Sequence, residues 1–135
     1  FDIYGYKNRE PIWADDFYKV IVNSKMALNL SRGKPLKYLT SNRIASLIGN
    51  GLLTFIDRRT KLDNFFSNNE VIFYKNLKDL AEKLNYFKSN DKKRIEVARN
   101  GRKKYFDLFE CQKVSDYIIS RSFDRNPSNK MKWMD

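Results

Sequence analysis

At 135 residues, 41% of them apolar and 15% aromatic, the chain is one domain's worth of sequence with enough nonpolar surface for a core. Its formal charge of +11 favours an anionic partner, whether nucleic acid, a membrane surface or a phosphorylated small molecule. The absence of histidine excludes Ser-His triads, imidazole bases and most transition-metal sites, so any catalysis rests on carboxylates, Lys, Tyr or electrostatics.

Along the chain, residues 1–5 read as a short strand closed by Gly5. The opening on Phe1, directly into an apolar run, leads us to expect the C-terminal piece of a longer protein. Trp13, Phe17, Val20 and Ile21 recur at helical spacing behind Asp15 and Asp16, which predicts a helix whose aromatics enter the core. Residues 26–30 form a second expected strand. Thr40 or Ser41 then caps a helix with Ile44, Leu47 and Ile48 as its buried stripe and Gly49-Asn50-Gly51 as its stop. Residues 52–56 and 71–74 are the third and fourth strands.

The remainder reads as helical. Asn76 caps a stripe of Leu77, Leu80, Ala81, Leu84 and Phe87. After Ser89-Asn90-Asp91, Ile95, Ala98, Tyr105 and Phe109 are expected inward, with Lys92, Lys93, Arg99, Lys103 and Lys104 outward. A last helix, about 113–123, uses Val114, Tyr117 and Ile118, and residues 124–135 form a polar tail in which Trp133 could dock. The sum is an α/β domain over residues 1–123, with a Rossmann-like, mostly parallel sheet of about four strands and a helical C-terminal end. The single cysteine, Cys111, excludes an internal disulfide and fits a reducing, cytoplasmic setting. No apolar run nears the roughly 20 residues that cross a bilayer.

Two apolar runs flanking one helix-sized segment form a βαβ pattern, which puts the loop after Leu30 at the carboxyl edge of the sheet, where open α/β folds bind ligands. Ser31, Arg32, Lys34 and Lys37 lie in that loop, and Ser41, Asn42 and Arg43 open the next helix. Free helix amides, hydroxyls and cations together describe a diphosphate site, although the segment is neither a Walker loop nor a G-x-G-x-x-G turn. The plain alternative is a solvated basic loop before a capped helix. The cations between Lys88 and Lys113 read as a solvated face. Nucleic acid is disfavoured because Tyr105, Phe106 and Phe109 are expected to pack rather than stack on bases. A non-catalytic module that binds anions or nucleic acid nonetheless stays as the alternative function. Asp15, Asp16, Asp57, Asp63, Glu70 and Asp79 show no metal-ligand spacing. Asp57 is the one acid placed to face a cleft, Cys111 lacks a histidine partner, and no catalytic residue is assigned.

From Asp2-Ile3-Tyr4-Gly5 through Asn29-Leu30-Ser31-Arg32 to the run from Thr40 to Leu53, the chain resembles the C-terminal half of GT-B glycosyltransferases. The nearest likeness is to group 1 glycosyl transferases with a CgeB-like C-terminal domain. In that family a segment written roughly Arg-x-x-Glu-x-x-x-x-Gly precedes an apolar strand, and Arg43 and Gly51 fall on its ends. Asn69-Glu70-Val71-Ile72-Phe73-Tyr74 and Ala98-Arg99-Asn100-Gly101 match its tail, so the resemblance covers residues 1–123. It implies a donor-binding domain that grips a nucleotide-diphosphate sugar, with no cofactor. A separate N-terminal domain would supply the acceptor site and often the base, and the longer protein would associate peripherally with a membrane. Ser31, Arg32, Lys34, Ser41, Asn42 and Arg43 would hold the donor diphosphate. Ser46 stands where the family commonly has the Glu that holds ribose or sugar hydroxyls. The glycine-rich start of the donor domain is missing, so the chain resembles an incomplete half, expected to be inactive alone.

Overall fold

The computed structural model describes residues 2–4, 7–30, 33–128, 130, 132 and 133. Its elements in chain order are α1 (Ala14–Val22), β1 (Met26–Asn29), α2 (Asn42–Gly49), β2 (Leu53–Asp57), two short 3-10 turns (Arg58–Thr60 and Leu62–Asn64), β3 (Ile72–Tyr74), α3 (Leu77–Ser89), α4 (Asp91–Phe109) and α5 (Cys111–Ser122). The strands form one parallel sheet in the order β1-β2-β3, with Met26 opposite Leu53 and Phe55 opposite Ile72. This is the expected Rossmann-like α/β arrangement with three strands instead of about four.

The missing strand is the one expected at residues 1–5. Phe1 and Gly5 lie outside the described residues, and Asp2, Ile3 and Tyr4 hold no strand. Ile3 and Tyr4 are both exposed, so the segment has no buried face to repay ordering.

Every residue of β2 is buried, as a strand covered on both faces must be. The two-residue side-chain period sorts the core. Leu53 and Phe55 point to one face and pack with Ile72, Tyr74, Leu80, Phe87, Val97 and Ala98. Ile56 points to the other, among Ile44, Ile48, Leu62, Phe66, Val71, Phe73 and Leu108. Helix α4 contributes to both groups and so ties the layers together.

Helix α2 ends as its sequence predicts. Gly51 takes φ +79°, its N–H donates to Ile48 O at 2.9 Å, and Leu52 N–H donates to Leu47 O at 3.1 Å. This is a Schellman stop, and Leu52 and Leu47 meet in the small cluster that also holds Ile21. The chain therefore leaves α2 aimed directly into β2.

Several helical stripes are rotated from expectation. In α4 the buried residues are Val97, Ala98, Gly101 and Leu108, whereas Ile95 is 47% exposed. Gly101 explains the rotation, since a Cβ there would stand 2.1 Å from Glu70 O. The helix lies against the Glu70 backbone, and only glycine permits that approach. Phe106, expected to pack, is half exposed on the outer side. Trp13 is exposed at the N-cap of α1, because this short helix buries only its Phe17–Ile21 side. In α3, Leu77, in the first turn, and Ala81 also face solvent. In α5, Ile118 is exposed, and Ser120 is the buried residue of that helix. Trp133 does dock: its Nε1 donates to Leu108 O at 2.7 Å, a carbonyl left over in the last turn of α4. Its ring stacks on Phe109 at 6.3 Å. Among the described residues no helix is long and apolar enough to cross a membrane.

The chain turns off the sheet at Asp57. Its carboxylate accepts from Arg59 N–H at 2.9 Å, from Arg59 Nε at 3.0 Å and from Arg59 Nη2 at 2.7 Å, and Thr60 Oγ1 donates to Asp57 O at 2.7 Å. The Arg59 side-chain bonds hold the Asp57 carboxyl below the usual carboxylate range, although burial opposes them.

Two outcomes are expected. Gly101→Ala should lower stability in urea melts by about 1–3 kcal/mol or more, as overpacking against fixed backbone does, whereas Asn100→Ala, at an exposed neighbouring position, should change it little. For Asp57, the folded pKa lies below the unfolded value of about 3.9. Its contribution is therefore complete above that value and is lost as pH falls through the folded one. Asp57→Asn should cost about 1.5–3 kcal/mol at neutral pH, and the gap between the two proteins should narrow below about pH 4.

Candidate functional site

Because the three strands are parallel, β1, β2 and β3 all finish on one edge, at Asn29, Asp57 and Tyr74. All three of these residues are buried. A helix that returns between parallel strands must start on that same edge, which brings the beginning of α2 there as well. The loop before α2 is stitched to the turns after β2. Tyr38 N–H donates to Thr60 O at 2.8 Å, Asn64 Nδ2 donates to the Tyr38 hydroxyl, and the Tyr38 ring meets Phe65 edge-on at 5.4 Å. Tyr38 and Lys61 both adopt the left-handed conformation at φ 57°, a strained state for such side chains that the surrounding bonds hold in place.

The resulting edge is cationic. Arg58, Arg59, Lys61 and Lys75 line an open cleft of about 320 Å³, within the size range of small-ligand sites. Arg59 is committed to Asp57. Arg58 is not similarly satisfied: its Nη1 lies 3.8 Å from Asp63, its guanidinium lies over the Phe73 ring at 5.9 Å, and its Nε is buried without a hydrogen-bond partner. The Arg58 side chain is 40% exposed, so part of it is open to the cleft although Nε is not. Burial, and then the charge of Asp57, raise the Tyr74 pKa, so its hydroxyl stays protonated at neutral pH. Lys83 is spent on Phe73 O at 2.7 Å and on Asp79, fixing the end of β3. With Asp57 locked to Arg59, the cleft offers charge stabilisation rather than proton transfer.

The residues anticipated for this site divide into three groups. Ser31 and Arg32 lie outside the described residues. Lys34 is exposed in the loop, and Ser41 holds the N-cap position of α2 but makes no side-chain cap bond, so the first-turn amides at Asn42 and Arg43 have no cap from it. Arg43 donates from Nη1 to Leu30 O, tying the start of α2 to the end of β1. Ser46 turns inward along its own helix, with Oγ donating to Asn42 O at 3.0 Å. Arg58, Lys61 and Lys75 escaped the sequence reading. The signal for two of them was present as Arg58-Arg59-Thr60-Lys61 directly after an apolar run. Lys75 has the same placement after β3.

Among the described residues, no cluster of His, Cys, Asp or Glu could hold a metal ion. No curated protein and no solved structure matches the chain. The sequence model of the glycosyl transferase-like family, by contrast, matches residues 1–120, a span that contains the whole sheet and its carboxyl edge. The chain belongs to the glycosyl transferase-like family.

Proposed function

We propose that this chain is the donor-binding domain of a GT-B-type glycosyltransferase of CgeB-like kind, and that it grips the diphosphate of a nucleotide sugar at the carboxyl edge of its sheet. The observation that carries this reading is the cleft beside the end of β2. Arg58, only loosely paired with Asp63, lines it together with Lys61 and Lys75, while the uncapped start of α2 comes to the same edge. Guanidinium forks and free helix amides are the donor types that suit phosphate oxygens. Lys34, Ser41, Asn42 and Arg43 from one side of this edge, with Ser31 and Arg32 before them in sequence, complete the proposed grip.

In such a transfer the bond from sugar C1 to the β-phosphate oxygen breaks as an acceptor oxygen bonds to C1. Negative charge gathers on the departing diphosphate, and fixed cations lower the barrier because they are in place before the charge develops. The acceptor's proton goes to a base that the cleft does not contain, which fits an acceptor site on another domain. Ser46, where a Glu is common in the family, is short and already bonded to Asn42 O, so sugar or ribose hydroxyls would find their partners elsewhere.

The test is calorimetric titration of the full-length protein with UDP- and GDP-sugars, compared with Lys75→Ala and Arg43→Ala. Each substitution should weaken binding of the preferred donor by about tenfold or more, the value of one charge-assisted bond. Lys75→Ala is the cleaner variant, since among the described residues the Lys75 side chain makes no hydrogen bond or ion pair, and its backbone N–H, which donates to Asp79, is kept. Failure of the full-length protein to bind any nucleotide sugar would overturn the proposal.

A further inference from the structure

A second cationic cleft lies at the other end of β2. Arg94, Arg99 and Arg102 of α4, with Ile95 and Ala98, face the Gly49-Asn50-Gly51 turn across a cleft of about 350 Å³. The five residues of β2, at about 3.3 Å each, separate it from the carboxyl-edge cleft by roughly 17 Å. No carboxylate lines it.

The three arginines are not equally committed. Arg94 is, since it donates to Asp91 Oδ1 at 3.0 Å and to Lys25 O at 3.2 Å. Arg102 gives only Nε, to Gly49 O at 3.0 Å, and lies 5.4 Å from the centre of the Phe106 ring. Arg99 is exposed, and its side chain takes part in none of the ion pairs or hydrogen bonds among the described residues. Arg99 and Arg102 are three apart on the helix and therefore neighbours on its surface.

A helix C-terminus ordinarily repels anions, and α2 ends at this cleft. Here its terminal carbonyls are occupied. Ser46 O accepts from Asn50 Nδ2, Leu47 O from Leu52 N–H, Ile48 O from Gly51 N–H, and Gly49 O from Arg102. What faces the space is an uncompensated pair of guanidinium groups over a small apolar floor.

We propose that this amino-edge cleft is a second anion site, distinct from the donor cleft, which takes a phosphate group between Arg99 and Arg102. The phosphate is either free or carried on a lipid headgroup. Planar guanidinium forks bind phosphate through paired hydrogen bonds, and the cleft is open to water, which suits a hydrophilic anion.

Two measurements on the full-length protein test the assignment. In the first, pyrophosphate is titrated while the amide resonances of Gly49, Asn50 and Gly51 are followed. In the second, the protein is sedimented with phosphatidylcholine vesicles that contain or lack phosphatidylglycerol. We expect pyrophosphate to shift the three resonances, with affinity lowered about tenfold by Arg99→Gln, the loss of one charged bond, and unchanged by Lys75→Gln at the opposite edge. Because Arg99 has no bond to lose, its substitution leaves the fold intact. Arg102→Lys, which keeps the charge and removes the fork, should also weaken binding. If pyrophosphate leaves the resonances still but phosphatidylglycerol vesicles retain the protein in an Arg99-dependent manner, the phosphate is that of a lipid. Shifts indifferent to Arg99→Gln, or no response in either arm, would overturn the proposal.

Discussion

A strand with no exposed residue sets the terms for the rest of the molecule. Both faces of β2 must be covered, so helices are required above and below it, and its backbone groups must find partners on both sides, so it takes the centre of the sheet. The parallel direction of β1 and β3 follows from the crossovers that reach them. Once all strands run one way, their ends gather on one edge, and whatever follows each strand is delivered there. That is how Arg58 and Lys75, 17 positions apart in sequence, come to wall one cleft.

The closeness of α4 to the sheet depends on one missing side chain. Gly101 lets the helix settle on the Glu70 backbone, which turns Val97, Ala98 and Leu108 inward and Ile95, Arg99, Arg102 and Phe106 outward. A 3.6-residue stripe read from the sequence is centred on its large apolar residues, and by that rule Ile95 belonged inside. The contact that decided otherwise is a glycine meeting a carbonyl, which hydrophobic periodicity does not register. The same rotation places the arginines of α4 beside the α2 stop, so a packing detail in the core determines the character of the surface at the amino edge.

What was legible in the sequence is what local chemistry dictates. The α2 stripe of Ile44, Leu47 and Ile48, the Gly49-Asn50-Gly51 stop, the Asn76 cap and the strands around 53–56 and 72–74 all appear where the residues place them. The βαβ pattern made the carboxyl edge legible, and with it the place in the fold of Asn42 and Arg43 at the start of α2. Less legible was anything set by contacts between distant segments. Arg43 reaches back 13 residues to Leu30 O, and the loop 33–40 is held by Thr60 and Asn64. The expected first strand failed for a related reason, since alternation at residues 2–4 says nothing of whether a neighbour exists to pair with.

Charge then connects stability with binding. Most ion pairs along the helices are i,i+3 or i,i+4 contacts, and the exposed ones among them contribute only about 0.2–1 kcal/mol each. The surplus of +11 is what remains once every acid is counted, and like charges in such excess destabilise the compact state. The surplus is not spread evenly, for cations line a cleft at each end of β2, Arg58, Lys61 and Lys75 on one edge and Arg99 and Arg102 on the other. Concentrating like charge in this way opposes folding unless something negative binds, so a ligand of the folded state would add its binding free energy to stability. With Asp57 held by Arg59, the fixed positive potential on which the proposed donor grip depends is the same one that the fold must withstand.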